Sequence, residues 1–189
     1  MGVKPDRWIC RMAREAGMIE PFVESLVRQG VISYGPSSYG YDFRLGRWFK
    51  VSRKTAQGVV DPKAPDPSLF EDVETEMYLL PAGGFVVARS LEYFRIPREV
   101  VGVCFGKSTY ARLGVLVNVT PLEPEWEGHL TFSIANLGSQ PVRLYAGEGI
   151  AQLLFLEADE VCEISYRDRR GKYQRQAGVV LSRVDDAGS

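Results

Sequence analysis

From residue 38 to residue 168 the chain is written in short apolar or alternating runs broken by glycine and proline, and this punctuation limits its fold more than any other feature. The runs include SYGYDFRLGRWFKVS (38–52), GGFVVARSLEYFRIP (83–97), VVGVCFG (100–106), VLVNVTP (115–121), HLTFSIANLG (129–138), PVRLYAGEG (141–149), IAQLLFLEAD (150–159) and VCEISYRD (161–168). Turn signals that recur every ~8–12 residues between such runs are the pattern of a jelly roll, barrel or sandwich. The expected class is therefore mainly β. Helix is expected only near the start: residues 6–16, with Asp6 as cap, Ile9, Met12 and Ala13 on one face and Gly17 as the stop, then a second stretch from Pro21 to Gln29 ending at Gly30.

The stretch DPKAPDPSLFED (61–72) has proline and aspartate at loop density and reads as an exposed excursion. Residues 167–189 are polar and glycine-punctuated, a tail expected to be mobile unless something docks on it. With 189 residues and 45% hydrophobic composition, the whole chain is expected to be one domain that needs no disulfide or metal staple.

A net charge of −1 argues against a nucleic-acid partner, so an anionic ligand must be held by a local cluster of cations and N–H groups. No apolar run approaches the ~20 residues of a membrane span, and the charged start MGVKPDRWICRMAREAG lacks a signal-peptide core. Cys10, Cys104 and Cys162 are scattered, without CxxC spacing, as reduced thiols in a cytoplasmic protein would be.

Three constellations could carry chemistry. Gly106-Lys107-Ser108-Thr109-Tyr110-Ala111-Arg112-Leu113-Gly114 follows an apolar strand, and small hydroxyl residues opening a helical turn beside Lys107 and Arg112 suit a phosphate; a capped turn with solvated charges fits equally. It is not a P-loop, because the GxxxxGK[ST] spacing is absent. Residues 118–128, NVTPLEPEWEG, set Glu123, Glu125 and Glu127 beside Trp126, to orient a sugar hydroxyl or polarise water, or simply as a solvated acidic turn. Residues 166–178, YRDRRGKYQRQAG, hold five basic residues and two tyrosines around a glycine: an arm that closes over phosphates, or a disordered basic tail.

His129 is the only histidine and no cysteine pair exists, so the ligand set of the zinc nucleobase deaminases is missing, as are a Ser-His-Asp triad and GxSxG. Nothing in the sequence supports a metal-activated water held by the protein's own ligands.

The strings SSYGYDFRLG, EYFRIPREVVGVCFGKSTYARLGVLVNVTPLEPEWEG, GEGIAQLLFLEADEVCEISYRDR and GKYQRQAG, in this order over most of the chain, closely resemble bacterial dCTP deaminases. Between Met18 and Tyr34 the correspondence is loose. The resemblance implies a distorted jelly roll of the dUTPase type, a homotrimer with interfacial active sites, and zinc-independent deamination of dCTP to dUTP and ammonia, with Mg²⁺ bound through the triphosphate. Carried over by position, Lys107, Ser108, Thr109 and Arg112 fall in the phosphate- and base-facing loop, with Ser108 and Arg112 in the catalytic set. Val119 falls where backbone groups hold the base and the attacking water, and Glu123 near the deoxyribose. Gln152, Tyr166, Lys172 and Gln176 fall where the base-proximal wall and the phosphates are gripped.

One position departs. The family's proton carrier is a Glu seven residues past the tryptophan, and that count from Trp126 lands on Ser133. A serine hydroxyl has no useful pKa near neutrality for this role. Two other readings stay open beside the deaminase. Glu123, three residues before Trp126-Glu127-Gly128, fits the water-activating acid of the trimeric dUTPases, which also share Asn136, although their glycine-rich phosphate arm is absent. The chain could also be a non-catalytic relative that binds a pyrimidine nucleotide.

Overall fold

Strict alternation along residues 127–136 shows how the architecture arises: Gly128, Leu130, Phe132, Ile134 and Asn136 are buried, while Glu127, His129, Thr131, Ser133 and Ala135 are half-exposed on the opposite face. A period of two is what a pleated strand with one covered face requires. The structure is a computed structural model that describes residues 2–53 and 58–183.

In chain order the elements are β1 (Gly2–Val3), α1 (Asp6–Ala16), β2 (Ile19–Glu20), β3 (Gly35–Ser37), β4 (Gly40–Ser52), β5 (Phe70–Glu74), β6 (Met77–Leu80), β7 (Phe85–Arg95), β8 (Val100–Gly106), α2 (Ser108–Ala111), β9 (Val115–Asn118), β10 (Glu127–Asn136), β11 (Val142–Tyr145) and β12 (Gly149–Glu157). Ten strands form one curled, antiparallel sheet along β1-β12-β4-β7-β10-β9, with β2 on β7, β3 and β5 on β4, and β8 on β12; β11 and β6 form a separate pair. The chain is mainly β, as expected, and the sheet curls as a half-barrel.

The 13-residue β4 makes the curl possible, because its first half pairs with β12 and its second half with β7 and β5. Where it changes partners, Gly46 passes so close to β7 that a Cβ there would meet the Arg89 carbonyl at 2.8 Å. Inside the curl Phe43 meets Phe94 and Phe132 edge-on, with Leu45, Ile134, Leu153 and Phe155 fully buried around them.

Helix α1 has the expected extent and packs Ile9 and Ala13 into the core, with Met12 beside them. Gly17 closes it in the left-handed conformation at φ 60°. Asp6 differs from expectation: Pro5 holds the cap position and Asp6 is the first helical residue, its carboxylate accepting from the Arg7 N–H at 2.6 Å. A carboxylate there still favours the helix N-terminus electrostatically.

Two further expectations are corrected. Residues 21–29 are not helical; Val27 instead exchanges both backbone hydrogen bonds with Tyr34, at 2.9 and 3.0 Å. That pairing suits β-branched side chains and satisfies the same polar groups that a helix would. The excursion 61–72 ends early, because Phe70–Glu74 pairs with Trp48–Ser52 as an added edge strand. Residues 184–189 of the expected tail lie outside the described residues.

Candidate functional site

The C-terminal segment returns to the start of β10 and walls off a cavity. Tyr166 N–H donates to the Pro124 carbonyl at 3.0 Å, Trp126 Nε1 to the Tyr173 carbonyl at 3.0 Å, Arg175 N–H to the Glu127 carbonyl at 2.8 Å, and His129 N–H to the Gln176 carbonyl at 3.0 Å. Gly128 and Gln176 form a parallel bridge, and a Cβ on residue 128 would meet Gln176 at 3.1 Å. The tail doubles over Tyr166, whose hydroxyl accepts from Tyr173 N–H at 3.0 Å; Gly171 packs so tightly there that a Cβ would lie 2.2 Å from the ring.

The three carboxylates of the acidic turn hold this tail. Glu123 binds Arg169; Glu125 binds Arg98 at 2.7 Å and Arg167 at 3.3 Å; Glu127 binds Arg175 at 2.6 Å. The Ser165 hydroxyl donates to Glu125 at 2.6 Å, and this contact, followed by the guanidinium of Arg167 and the bond from Arg98, holds the carboxyl below its ordinary range. Asp168 is likewise held low, first by the Ser165 N–H and then by Arg98.

The cavity, about 630 Å³, is lined by Glu123, Trp126, Thr131, Tyr166, Lys172 and Gln176, with residues 180–182 along one side. Four residues singled out in the sequence thus share one cavity: Glu123, Tyr166, Lys172 and Gln176. Lys172 Nζ donates to the Arg183 carbonyl at 2.6 Å.

A second group sits elsewhere on the chain. After β8, α2 carries Ser108 and Thr109, and Arg112 donates to the Ser108 carbonyl at 3.0 Å. Thr109 and Arg112 line a separate, more open depression with Leu79, Leu113 and Tyr145. Lys107 points inward, its ammonium 2.5 Å from Asp42, with both side chains buried. Gln152 is paired in register with Asp42 and donates to Ser37 Oγ at 3.0 Å.

Val119 and Ser133 border neither cavity. Ser133 is paired with Val87 on β7 and Asn118 on β9, so Val119 follows directly from its neighbour. Asn136 is a structural residue, buried, with its amide donating to the carbonyls of Leu80, Pro81 and Gln140 at 3.2, 3.1 and 2.9 Å.

Several polar residues went unnoticed in the sequence. Glu92 is fully buried and accepts from Arg44 Nε at 2.7 Å; burial pushes its carboxyl up while Arg44 pulls it down, and burial wins. Arg89 is nearly buried against Trp48, with its guanidinium carbon 3.8 Å from the ring centroid. It is paired in register with Thr131, next to a β-bulge where Leu130 N–H donates to Ser90 Oγ at 2.8 Å. Burial, reinforced by the charge of Arg89, draws the pKa of His129 down. Charged residues inside alternating runs read as solvent-facing, so only the curl of the sheet reveals these.

Comparison with known proteins shows the family. Residues 3–158 match the family model described as dCTP deaminase-like. The dCTP deaminase of Chloroflexus aggregans is 58% identical over 185 residues, covering 98% of this chain and 100% of that one. The dCTP deaminase of Dechloromonas aromatica is 56% identical over 188 residues, covering 97% and 100%. Among solved structures, the 2'-deoxycytidine 5'-triphosphate deaminase from Agrobacterium tumefaciens superposes with a TM-score of 0.60 at 16% identity, spanning 82% of this chain and 48% of that longer one.

Proposed function

The chain belongs to the dCTP deaminase-like family, and from that premise we propose that it binds a pyrimidine deoxynucleoside triphosphate and hydrolyses the 4-amino group of dCTP, giving dUTP and ammonia. The observation that carries this reading is the convergence of Glu123, Tyr166, Lys172 and Gln176 on one cavity. A cation, a tyrosine and an amide on a docked tail suit phosphate oxygens, while Glu123 opposite them suits a sugar hydroxyl. Mg²⁺ enters this reading with the triphosphate, as part of the substrate.

The second half of the site, Ser108, Thr109 and Arg112, lies on a different part of the surface, and this supports a homotrimer in which one copy's α2 meets another copy's cavity. Val119, between α2 and β10, would then offer its backbone to the base, and Gln152 with the Lys107–Asp42 pair would stiffen the strand ends behind α2.

The chemistry rests on an unusual position, since Ser133 stands where the resemblance calls for a proton-carrying carboxylate. A second reading, hydrolysis of the triphosphate to monophosphate and pyrophosphate with Glu123 as base, is favoured by the presence of Glu123 in the cavity. In a third, the chain binds the nucleotide without turning it over.

One experiment separates them. Purified protein is incubated with dCTP or dUTP and Mg²⁺ while ammonia, pyrophosphate and binding are followed separately. Ammonia from dCTP is the expected result, at a rate below that of relatives carrying the carboxylate. Pyrophosphate without ammonia would establish the second reading, and binding without either product the third.

A further inference from the structure

Among the described residues, three side-chain polar atoms are buried without a hydrogen-bond partner: Arg89 Nη1, Thr131 Oγ1 and Gln176 Oε1. They are not scattered. Arg89 and Thr131 are paired in register across β7 and β10, which puts their side chains on one face. Gln176 is attached two residues back along β10 through the bond from His129 N–H at 3.0 Å. Thr131 and Gln176 both line the cavity closed by the tail.

Buried polar groups in native proteins are overwhelmingly paired, and an orphaned charged donor is the costliest kind to leave unmade. Arg89 is nearly buried and lies on the Trp48 ring, and among the described residues no carboxylate pairs with it. The carboxylates that could have served it are committed elsewhere: Glu127 to Arg175 at 2.6 Å, and Glu92 to Arg44 at 2.7 Å. Burial alone draws its pKa below the ordinary value, the mark of a cation with no compensating anion.

We propose that Arg89 and Thr131 form a subsite of the nucleotide cavity for a ligand oxygen, with Gln176 Oε1 at the rim accepting from a neighbouring N–H or O–H of the same ligand. An arginine donates and never accepts, and the threonine hydroxyl can donate alongside it, so the matching group is a carbonyl or phosphate oxygen rather than an amine. This rests on the nucleotide-binding reading and deepens it: the oxygen belongs either to the pyrimidine ring, where a 4-oxo edge fits and a 4-amino edge does not, or to the phosphate chain.

The test is calorimetric titration of the full chain with dUTP, dCTP and dUMP in Mg²⁺, for the unsubstituted protein, Arg89→Met and Thr131→Val. Arg89→Met keeps an unbranched apolar stem at this position but removes the guanidinium that lies on Trp48 and with it the donors. A 4-oxo ring oxygen gives a loss of about tenfold or more for dUTP and dUMP and a smaller loss for dCTP, whereas an equal loss for all three places the oxygen on the 2-oxo edge or the first phosphate, which all three carry. A phosphate oxygen of the distal chain gives an equal loss for dUTP and dCTP and little for dUMP. Thr131→Val removes a hydroxyl at constant shape, should reproduce the same ranking more weakly, and decides the matter if Arg89→Met does not fold. Melting of the unliganded variants separates a packing defect, which lowers Tm without changing the ranking of ligands. Affinities within about twofold of the unsubstituted protein for all three nucleotides would overturn the subsite and leave nucleotide binding standing. No binding of any of the three by the unsubstituted protein would remove the nucleotide reading and the subsite with it.

Discussion

At position 133 a hydroxyl stands between Val87 and Asn118, on the same face of β10 as Thr131 and two register pairs along from Arg89. It cannot accept a proton from water and hand it to a leaving amine near neutral pH. Glu127, the carboxylate on that face, is six residues away, on the order of 20 Å along an extended strand, and is held by Arg175. Replacing Ser133 with glutamate would restore a carboxylate on the sheet face that carries the Arg89 guanidinium, whose charge favours its ionised form. Ser133→Glu is therefore expected to raise ammonia release from dCTP by about 10²-fold or more, the usual worth of a placed general acid/base. An unchanged rate would mean that the base does not reach this face of β10. The residue scale is also where the sequence was hardest to read. Ser133 was found by counting from Trp126, whereas Arg89 resembled any solvated charge in an alternating run until the curl placed Trp48 over it. Lys107 carried the right charge in the right turn, but sequence could not show that Asp42, 65 positions earlier, lies against it.

Among the elements, the tail shows what charge pattern reveals and what it hides. Its basic residues and their order were legible, and Tyr166, Lys172 and Gln176 do face one cavity. Their neighbours Arg167, Arg169 and Arg175 looked like phosphate ligands for the same reason, yet they bind Glu125, Glu123 and Glu127. Two segments that seemed separate, one acidic and one basic, are partners. Residues 21–29 failed differently: their apolar spacing fits a helix, but the cross-loop pairing of Val27 with Tyr34 satisfies the backbone another way. The tail's docking depends on shape as well as charge, because Gly171 lies against Tyr166 with no room for a methyl group. Gly171→Ala forces the two apart, and overpacking of this kind costs about 1–3 kcal/mol. Amide exchange at Arg175 and His129, whose N–H groups bond across to Glu127 and Gln176, is expected to quicken by about tenfold to a hundredfold while the β4–β7 core is unaffected. Equal protection in both proteins would show that the tail is held by its ion pairs alone.

For the molecule as a whole, the division of the site has a consequence. Arg112 and Thr109 border one depression and Lys172, Tyr166 and Gln176 another, so in the proposed reading a single copy would offer two incomplete halves. The depression beside Arg112 is also flanked by exposed Leu79, Leu113 and Leu137, apolar surface that a soluble chain normally covers. If copies associate head to tail around an axis, each contributes one half to each of two sites, and the two kinds of damage become complementary. Arg112→Ala and Lys172→Ala should each weaken dCTP binding by about tenfold or more when present in every copy, because each leaves ligand charge unmatched. Co-expressed and assembled at random, the two variants should regain about a quarter of the sites at full affinity, since that fraction of interfaces joins an intact Arg112 to an intact Lys172. Titration of the mixed assembly, with sedimentation to count the copies, reads this directly. A site complete within one chain would give no regain, because every copy in the mixture would carry one defect or the other.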